Sequence, residues 1–202
     1  SITGSLKLFG KDVTLRNERE AIEAGIAYVT EDRKDNGLIL SDTIARNTTM
    51  ARLEKVCSSG IIDVDKENMV AKEYKDKLST KTPSIQQNVG NLSGGNQQKV
   101  LLSKWMFADP KVLILDEPTR GIDVGAKYEI YCIMNDLVSQ GKAVVMISSE
   151  LPELLGMCDR IYVMNEGNMV TEMSGAEATQ EKIMGAILRF GKKENINDNR
   201  GE

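Results

Sequence analysis

Two stretches decide the fold of this chain: Asn91-Leu-Ser-Gly-Gly-Asn-Gln-Gln-Lys99 and, after it, Leu113-Ile-Leu-Asp-Glu-Pro-Thr119. The first places a Ser-Gly-Gly turn at the start of a predicted helix, where backbone N–H groups can hold a phosphate. The second is an apolar strand that ends in two carboxylates, Asp116 and Glu117. Ligands bind at the carboxyl ends of parallel strands, so these carboxylates are placed to hold a metal ion and to orient an attacking water.

Strands alternate with helices on both sides of these stretches, which predicts an α/β fold with a mostly parallel sheet. The expected strands are 26–29, 111–115 and 143–147, and the expected helices are 18–24, 94–107, 125–139, 150–156 and 177–189. The strands 111–115 and 143–147 are continuously apolar, as is typical of strands covered on both faces. Antiparallel hairpins are expected within 4–15 and 161–173.

Residues 41–90 have a different pattern, with two candidate helices and no convincing strand. We therefore expect a helical subdomain, approximately 41–108, inserted in the α/β core. The core and its insertion would form one domain over residues 1–190. The polar segment 191–202 is expected to be a disordered tail. Because the chain begins within this pattern and without Met, we also expect it to be a fragment.

Composition excludes several classes of protein. A net charge of −4 and an aromatic content of 4% argue against a nucleic-acid-binding surface. Apolar runs are short compared with the roughly 20 residues that a membrane-spanning helix needs. The 3 cysteines have no metal-binding spacing, and the 0 histidines exclude catalysis or metal ligation by imidazole.

Taken together, the motifs resemble the ATP-binding domain of ABC transporters, over nearly all of residues 1–190. The string 91–99 is similar to that family's signature motif, 112–117 to its Walker B motif and 121–123 to its D-loop. The longer strings 31–34, 116–127 and 148–153 resemble one subfamily, the second ATPase domain of monosaccharide importers of the ribose, galactose and xylose type. The resemblance implies a P-loop NTPase core of the ABC type that uses ATP and Mg²⁺.

The resemblance also implies roles for individual residues. Catalytic positions are Glu117, Glu31 and Ser149; nucleotide-binding positions are Ser93, Gly94, Gly95, Asn96, Asp116 and Asp123; and the Mg²⁺ ligands are Asp116 and Glu31. In this family each site combines the Walker motifs of one domain with the signature of another, so Ser93–Gly95 would complete the partner domain's site. Arg33, Lys34 and Gly37–Leu38 lie where the family contacts its membrane subunit, although a solvated charged loop is an equal interpretation.

Three departures from the family pattern stand out. Glu31 occupies the position of the usual Gln, Ser149 that of the usual His, and Asn96 that of a Gln in the signature. These departures resemble the second half of the sugar importers and imply a site that binds ATP but hydrolyses it poorly. The Walker A pattern Gly-x4-Gly-Lys-Ser/Thr is absent from the 202 residues. The chain thus resembles a domain that begins just after the Walker A motif. In isolation it is expected to be inactive.

The leading interpretation is an ATPase subunit at the cytoplasmic face of a membrane. Its expected partners are another ABC ATPase domain, permease subunits and, indirectly, a sugar-binding protein, with no nucleic acid. One alternative is a soluble ABC ATPase of translation or DNA repair, which needs basic surfaces or coiled-coil insertions. The other is a non-catalytic regulatory module, which Glu31, Ser149 and the missing phosphate loop favour.

Overall fold

The computed structural model describes the backbone of residues 4–198 and the side chains of residues 4–190. These residues form two compact units that divide after Ile147. In chain order the first unit contains β1 (Leu6–Leu8), β2 (Lys11–Val13), α1 (Glu18–Ala24), β3 (Ile26–Val29), α2 (Ile44–Thr49), β4 (Cys57–Ser58), β5 (Ile61–Ile62), α3 (Val64–Lys77), α4 (Gly94–Phe107), β6 (Val112–Asp116), α5 (Val124–Ser139) and β7 (Ala143–Ile147).

A three-stranded parallel sheet, in the order β3-β6-β7, forms the centre of the first unit and confirms the predicted fold class. Its strands alternate in burial, so the side chains of Val29, Leu113 and Leu115 lie in the core. On the opposite face, Val145 and Ile147 of β7 are exposed. The prediction that strand 143–147 is covered on both faces is therefore wrong for the described residues, which leave the face of Val145 and Ile147 open to solvent.

Helix α4 packs beneath this sheet and has the bounds that the sequence predicts. Ser93 is its N-cap, with extended backbone, and the chain leaves the helix through Asp109, whose φ is 58°. Nearly every α4 residue is buried, including two lysines, Lys99 and Lys104. A helix buried on all sides is a core element, so the glycines at its start are held in place by the whole unit.

The region predicted to be a helical subdomain contains the expected helices α2 and α3 and also an unexpected β-hairpin. Strands β4 and β5 pair as a hairpin of two residues each, so the prediction of no strand here is wrong. Two residues are too few to produce a recognisable alternation of burial. The hydroxyl of Thr49 donates to the buried carboxylate of Glu67 over 2.8 Å and joins α2 to α3.

The second unit contains α6 (Leu151–Met157), β8 (Arg160–Asn165), β9 (Asn168–Ser174) and α7 (Gln180–Asp198). Strands β8 and β9 form the predicted antiparallel hairpin, and Ile183 of α7 is buried against Ile161 and Val163 of β8. The backbone of α7 runs eight residues into the segment predicted to be a tail, and 199–202 lie outside the described residues. From residue 4 to residue 198, every helix is too short or too polar to span a bilayer.

Candidate functional site

The first turn of α4 carries the Ser-Gly-Gly motif. Ser93 is exposed and makes no side-chain capping bond to the helix; its Oγ accepts instead from Nδ2 of Asn96 over 2.9 Å. The Oδ1 atom of Asn96 in turn accepts from the N–H of Lys81 over 2.8 Å. With the serine side chain turned away from the cap, the N–H groups of the first turn can serve a ligand anion, which the helix dipole also favours.

Gly94 and Gly95 permit the close approach of the segment that leads into α5. A Cβ atom on Gly95 would lie 2.6 Å from the Cβ of Ala126, well inside contact distance. A Cβ on Gly94 would lie 3.3 Å from the carbonyl oxygen of Gly121 and 2.9 Å from Nη2 of Arg33. The structure thus brings the signature and D-loop motifs together, and any side chain at these glycines must push them apart.

Asp123 lies in this D-loop segment and caps α5. Its Oδ1 accepts from the N–H of Ala126 over 2.9 Å. This bond gives the carboxylate a structural role, because an N-cap of this kind contributes about 1 kcal/mol to stability. The predicted nucleotide-binding role of Asp123 stays a prediction.

Asp116 ends β6, as the sequence predicts, and its carboxylate has a hydrogen-bond donor on the neighbouring strand. The Oη of Tyr28 donates to Oδ2 of Asp116 over 2.5 Å. That bond is the largest cause of the raised pKa of Tyr28, so the phenol is a protonated donor at neutral pH. Glu117 follows with φ of 44°, a left-handed conformation uncommon for a residue other than glycine, and its N–H donates to the carbonyl of Ile147 over 2.9 Å.

The segment after β3, residues 31–37, includes a π-helical turn, Arg33–Gly37, and is bonded to residues 120 and 121. The carboxylate of Glu31 forms an ion pair with Arg120, just beyond Glu117. The guanidinium of Arg33 donates to the carbonyls of Arg120 over 3.0 Å and Gly121 over 3.5 Å. Partial burial lowers the pKa of Arg33. The sequence placed Glu31 and Arg33 in one loop but gave no sign that both reach the same later segment.

The far end of this loop is held by α4. Nζ of Lys104 donates to the carbonyl of Gly37, and burial lowers the pKa of this lysine to about 8. A Cβ on Gly37 would lie 3.1 Å from Leu101, so the loop lies directly against the helix. The sequence gives no sign of this role for Lys104, because a lysine in a helix is usually exposed.

The site offers the oxygen ligands that Mg²⁺ prefers. Magnesium prefers oxygen ligands and is usually held by one or two carboxylates together with substrate phosphates, and Asp116 supplies such a carboxylate. Among the described side chains, no group of three or more Asp, Glu, Cys or His could hold a metal ion. Glu31, the second predicted ligand, pairs with Arg120. Ser149 lies at the start of the second unit, and its predicted role is untested.

Comparison with known proteins gives one family. The model of the ABC transporter family matches residues 1–120. The chain is 56% identical to the L-arabinose transport ATP-binding protein AraG of Geobacillus stearothermophilus, 55% to the xylose import ATP-binding protein XylG of Geobacillus kaustophilus and 50% to the ribose import ATP-binding protein RbsA of Clostridium tetani. These matches cover 90–93% of this chain but only 36–37% of each relative.

The fold is also similar to solved structures. The ATP-binding cassette MJ1267 superposes with a TM-score of 0.73 at 21% identity, covering 88% of this chain and 74% of that chain. The dimeric cassette MJ0796 superposes with a TM-score of 0.70 at 19% identity, covering 85% and 73%. At this identity the likeness concerns the fold alone.

Proposed function

Because this chain belongs to the ABC transporter family, we propose that it is part of the ATP-hydrolysing subunit of a monosaccharide importer. The relatives named for arabinose, xylose and ribose transport support the substrate class. The observation that carries the proposal is the packing of Gly94 and Gly95 against the segment 121–126. That packing gathers the two motifs which, in this family, meet a second ATPase domain.

The working nucleotide site is proposed to lie between domains. The first turn of α4, with Ser93, Gly94 and Gly95, would donate N–H and hydroxyl groups to the phosphates of ATP bound by the partner domain. The half-site of this chain would hold Mg²⁺ through Asp116, and the metal would neutralise phosphate charge there. Glu117 would orient the attacking water. Ser149 cannot supply an imidazole, so this second site is expected to bind ATP and to turn over slowly.

A phosphate-binding loop from outside these residues is part of the proposal. The chain has no Walker A pattern. Among residues 4–198 the outer edge of β7 pairs with no other strand, and its side chains Val145 and Ile147 are exposed. An unpaired apolar edge strand is a liability that proteins cover. A strand and helix carrying the phosphate loop would cover this edge and face, and would place the loop beside the end of β6.

The proposed partners follow from the same arrangement. A second ABC ATPase domain would face α4. Permease subunits would contact the exposed part of the segment 31–37, which Arg33 bonds to Arg120 and Lys104 bonds to α4. The complex would lie at the cytoplasmic face of the membrane, and a sugar-binding protein would act through the permease. Asn96 and Asp123 would support the shape of the interface.

Phosphate release from the full-length protein with its permease, with and without Glu117→Gln, tests this proposal. We expect sugar-stimulated hydrolysis that survives Glu117→Gln in large part, because the working site uses the other domain's carboxylate. Absence of ATP hydrolysis in the wild-type complex would favour a non-catalytic regulatory module instead.

A further inference from the structure

We propose that Tyr28 is a positioning residue that orients the carboxylate of Asp116 toward the metal ion. This inference rests on the proposed function, because it concerns the same half-site. It starts from the hydrogen bond between Tyr28 Oη and Asp116 Oδ2, at 2.5 Å. A ligating carboxylate that is itself hydrogen-bonded is a recurring device in metal sites, because the bond fixes the orientation of the ligand.

The register of the sheet explains why these two side chains meet. Tyr28 of β3 lies opposite Ile114 of β6, and Asp116 follows two residues later on the same face. On its other side Asp116 lies opposite Ile147 of β7, whose side chain has no donor. Within the described part of the chain, the phenol is therefore the hydrogen-bond donor that the sheet brings to this carboxylate.

A purely structural role explains the pair less well. Within residues 4–198 Tyr28 is 46% exposed, and a hydrogen bond open to water adds little to the folding stability of this part of the protein. The core lies on the other face of the sheet, where Val29 and Leu115 are fully buried. The bond therefore does little for the fold, whereas it does hold one oxygen of Asp116 in a defined direction.

The backbone beyond Asp116 supports the same role. Glu117 has φ of 44°, and its N–H is bonded to the carbonyl of Ile147. Strained residues of this kind persist where the surrounding structure fixes them, and they cluster at functional sites. The backbone of Asp116 is thus held by β7 while its side chain is held by β3. Oδ1 would then be the oxygen that binds the metal ion.

The test uses the full-length protein and Mn²⁺ as the probe, with electron paramagnetic resonance reporting bound metal in the presence of saturating ATP. The Asp116→Asn variant defines the signal of the remaining site, and the difference from wild type isolates the Asp116 site. We expect Tyr28→Phe to weaken Mn²⁺ binding at that site by on the order of 10-fold. The affinity for ATP without metal should stay unchanged.

Tyr162→Phe is the matched control, since it removes a phenol hydroxyl of similar exposure, 47% against 46%, on β8. Equal Mn²⁺ affinity in wild type and Tyr28→Phe would overturn the inference. A parallel loss of metal-free ATP binding in Tyr28→Phe would also overturn it, because that loss would indicate a merely structural role. If wild type and Asp116→Asn bound the same amount of Mn²⁺, the proposed metal site itself would be wrong, and the inference with it.

Discussion

The contact between α4 and α5 at Gly95 leads to a quantitative prediction. An alanine there adds a carbon 2.6 Å from the Cβ of Ala126, whereas carbon atoms in contact prefer about 3.5–4.0 Å. Neither methyl group has a rotamer through which it can move away, so the two helices must separate by roughly 1 Å. Overpacking of this kind costs about 1–3 kcal/mol, and the better helix propensity of alanine returns at most about 1 kcal/mol.

We therefore expect Gly95→Ala to lower the free energy of unfolding by about 1–2 kcal/mol. Urea denaturation of the chain measures it, followed by the fluorescence of Trp105, the single tryptophan, which lies on α4 itself. Gly125→Ala is the matched control in the same region. Its added carbon would come no closer than 3.4 Å to the nearest atom. Only the gain in helix propensity then remains, so this variant should be as stable as wild type or up to about 1 kcal/mol more stable.

The double variant Gly95→Ala/Ala126→Gly isolates the contact. Removing the opposing methyl group should restore part of the stability, with a coupling free energy of at least about 1 kcal/mol. A Gly95→Ala protein as stable as wild type, or effects of the two substitutions that simply add, would refute the proposed close packing of these helices.

Three further predictions concern charge and ligand binding. The pKa of Lys104 is about 8 in the folded chain, below its unfolded value, so the unfolded chain binds more protons between about pH 8 and 10.4. The free energy of unfolding should therefore rise with pH across that window. Lys104→Met should flatten this rise in pH-dependent denaturation, and an unchanged slope would contradict the prediction. Lys99 is buried and is bonded to Glu129 over 2.8 Å and to the carbonyl of Ser79 over 3.0 Å. In the same urea assay, Lys99→Ala should lower the free energy of unfolding by about 2–4 kcal/mol. The control Lys72→Ala should have almost no effect, because Lys72 is exposed. The 202-residue chain should barely bind MgATP, because a missing phosphate loop costs several charge-assisted hydrogen bonds of about 1.5–3 kcal/mol each; micromolar binding by isothermal titration would disprove this.

The sequence predicts the elements around the two motifs closely. The start of α4 follows from Ser93, a residue type common at N-cap positions, although its side chain makes no capping bond here. Its end follows from Asp109-Pro110, because proline does not continue a helix. The parallel direction of the strands follows from their alternation with helices. The hairpin β4–β5 was missed because its strands are too short to show a pattern. The exposed face of β7 was missed because a continuously apolar strand was expected to be covered on both faces, whereas the described residues cover only one.

The motifs of the site can be predicted from the sequence, but the contacts between its residues cannot. Asp116 and Ser93 are visible in the sequence because each stands in a local pattern. The pairing of Glu31 with Arg120 joins residues far apart in the chain, and a single sequence carries no signal for it. Tyr28 could have been found, since a parallel register places it on the same face as Asp116 once both strands are aligned.

We propose that the signature turn of this chain serves the nucleotide of a partner domain, while its own carboxylates serve a slow second site. Phosphate release by the full-length complex, measured in parallel for Gly94→Asp and Glu117→Gln, separates the two sites. Circular dichroism would first confirm that both variants are folded. We expect Gly94→Asp to lose transport and nearly all hydrolysis, because it sets a carboxylate against the phosphates, whereas Glu117→Gln should keep most of its hydrolysis. Normal turnover in Gly94→Asp together with a collapse in Glu117→Gln would contradict it.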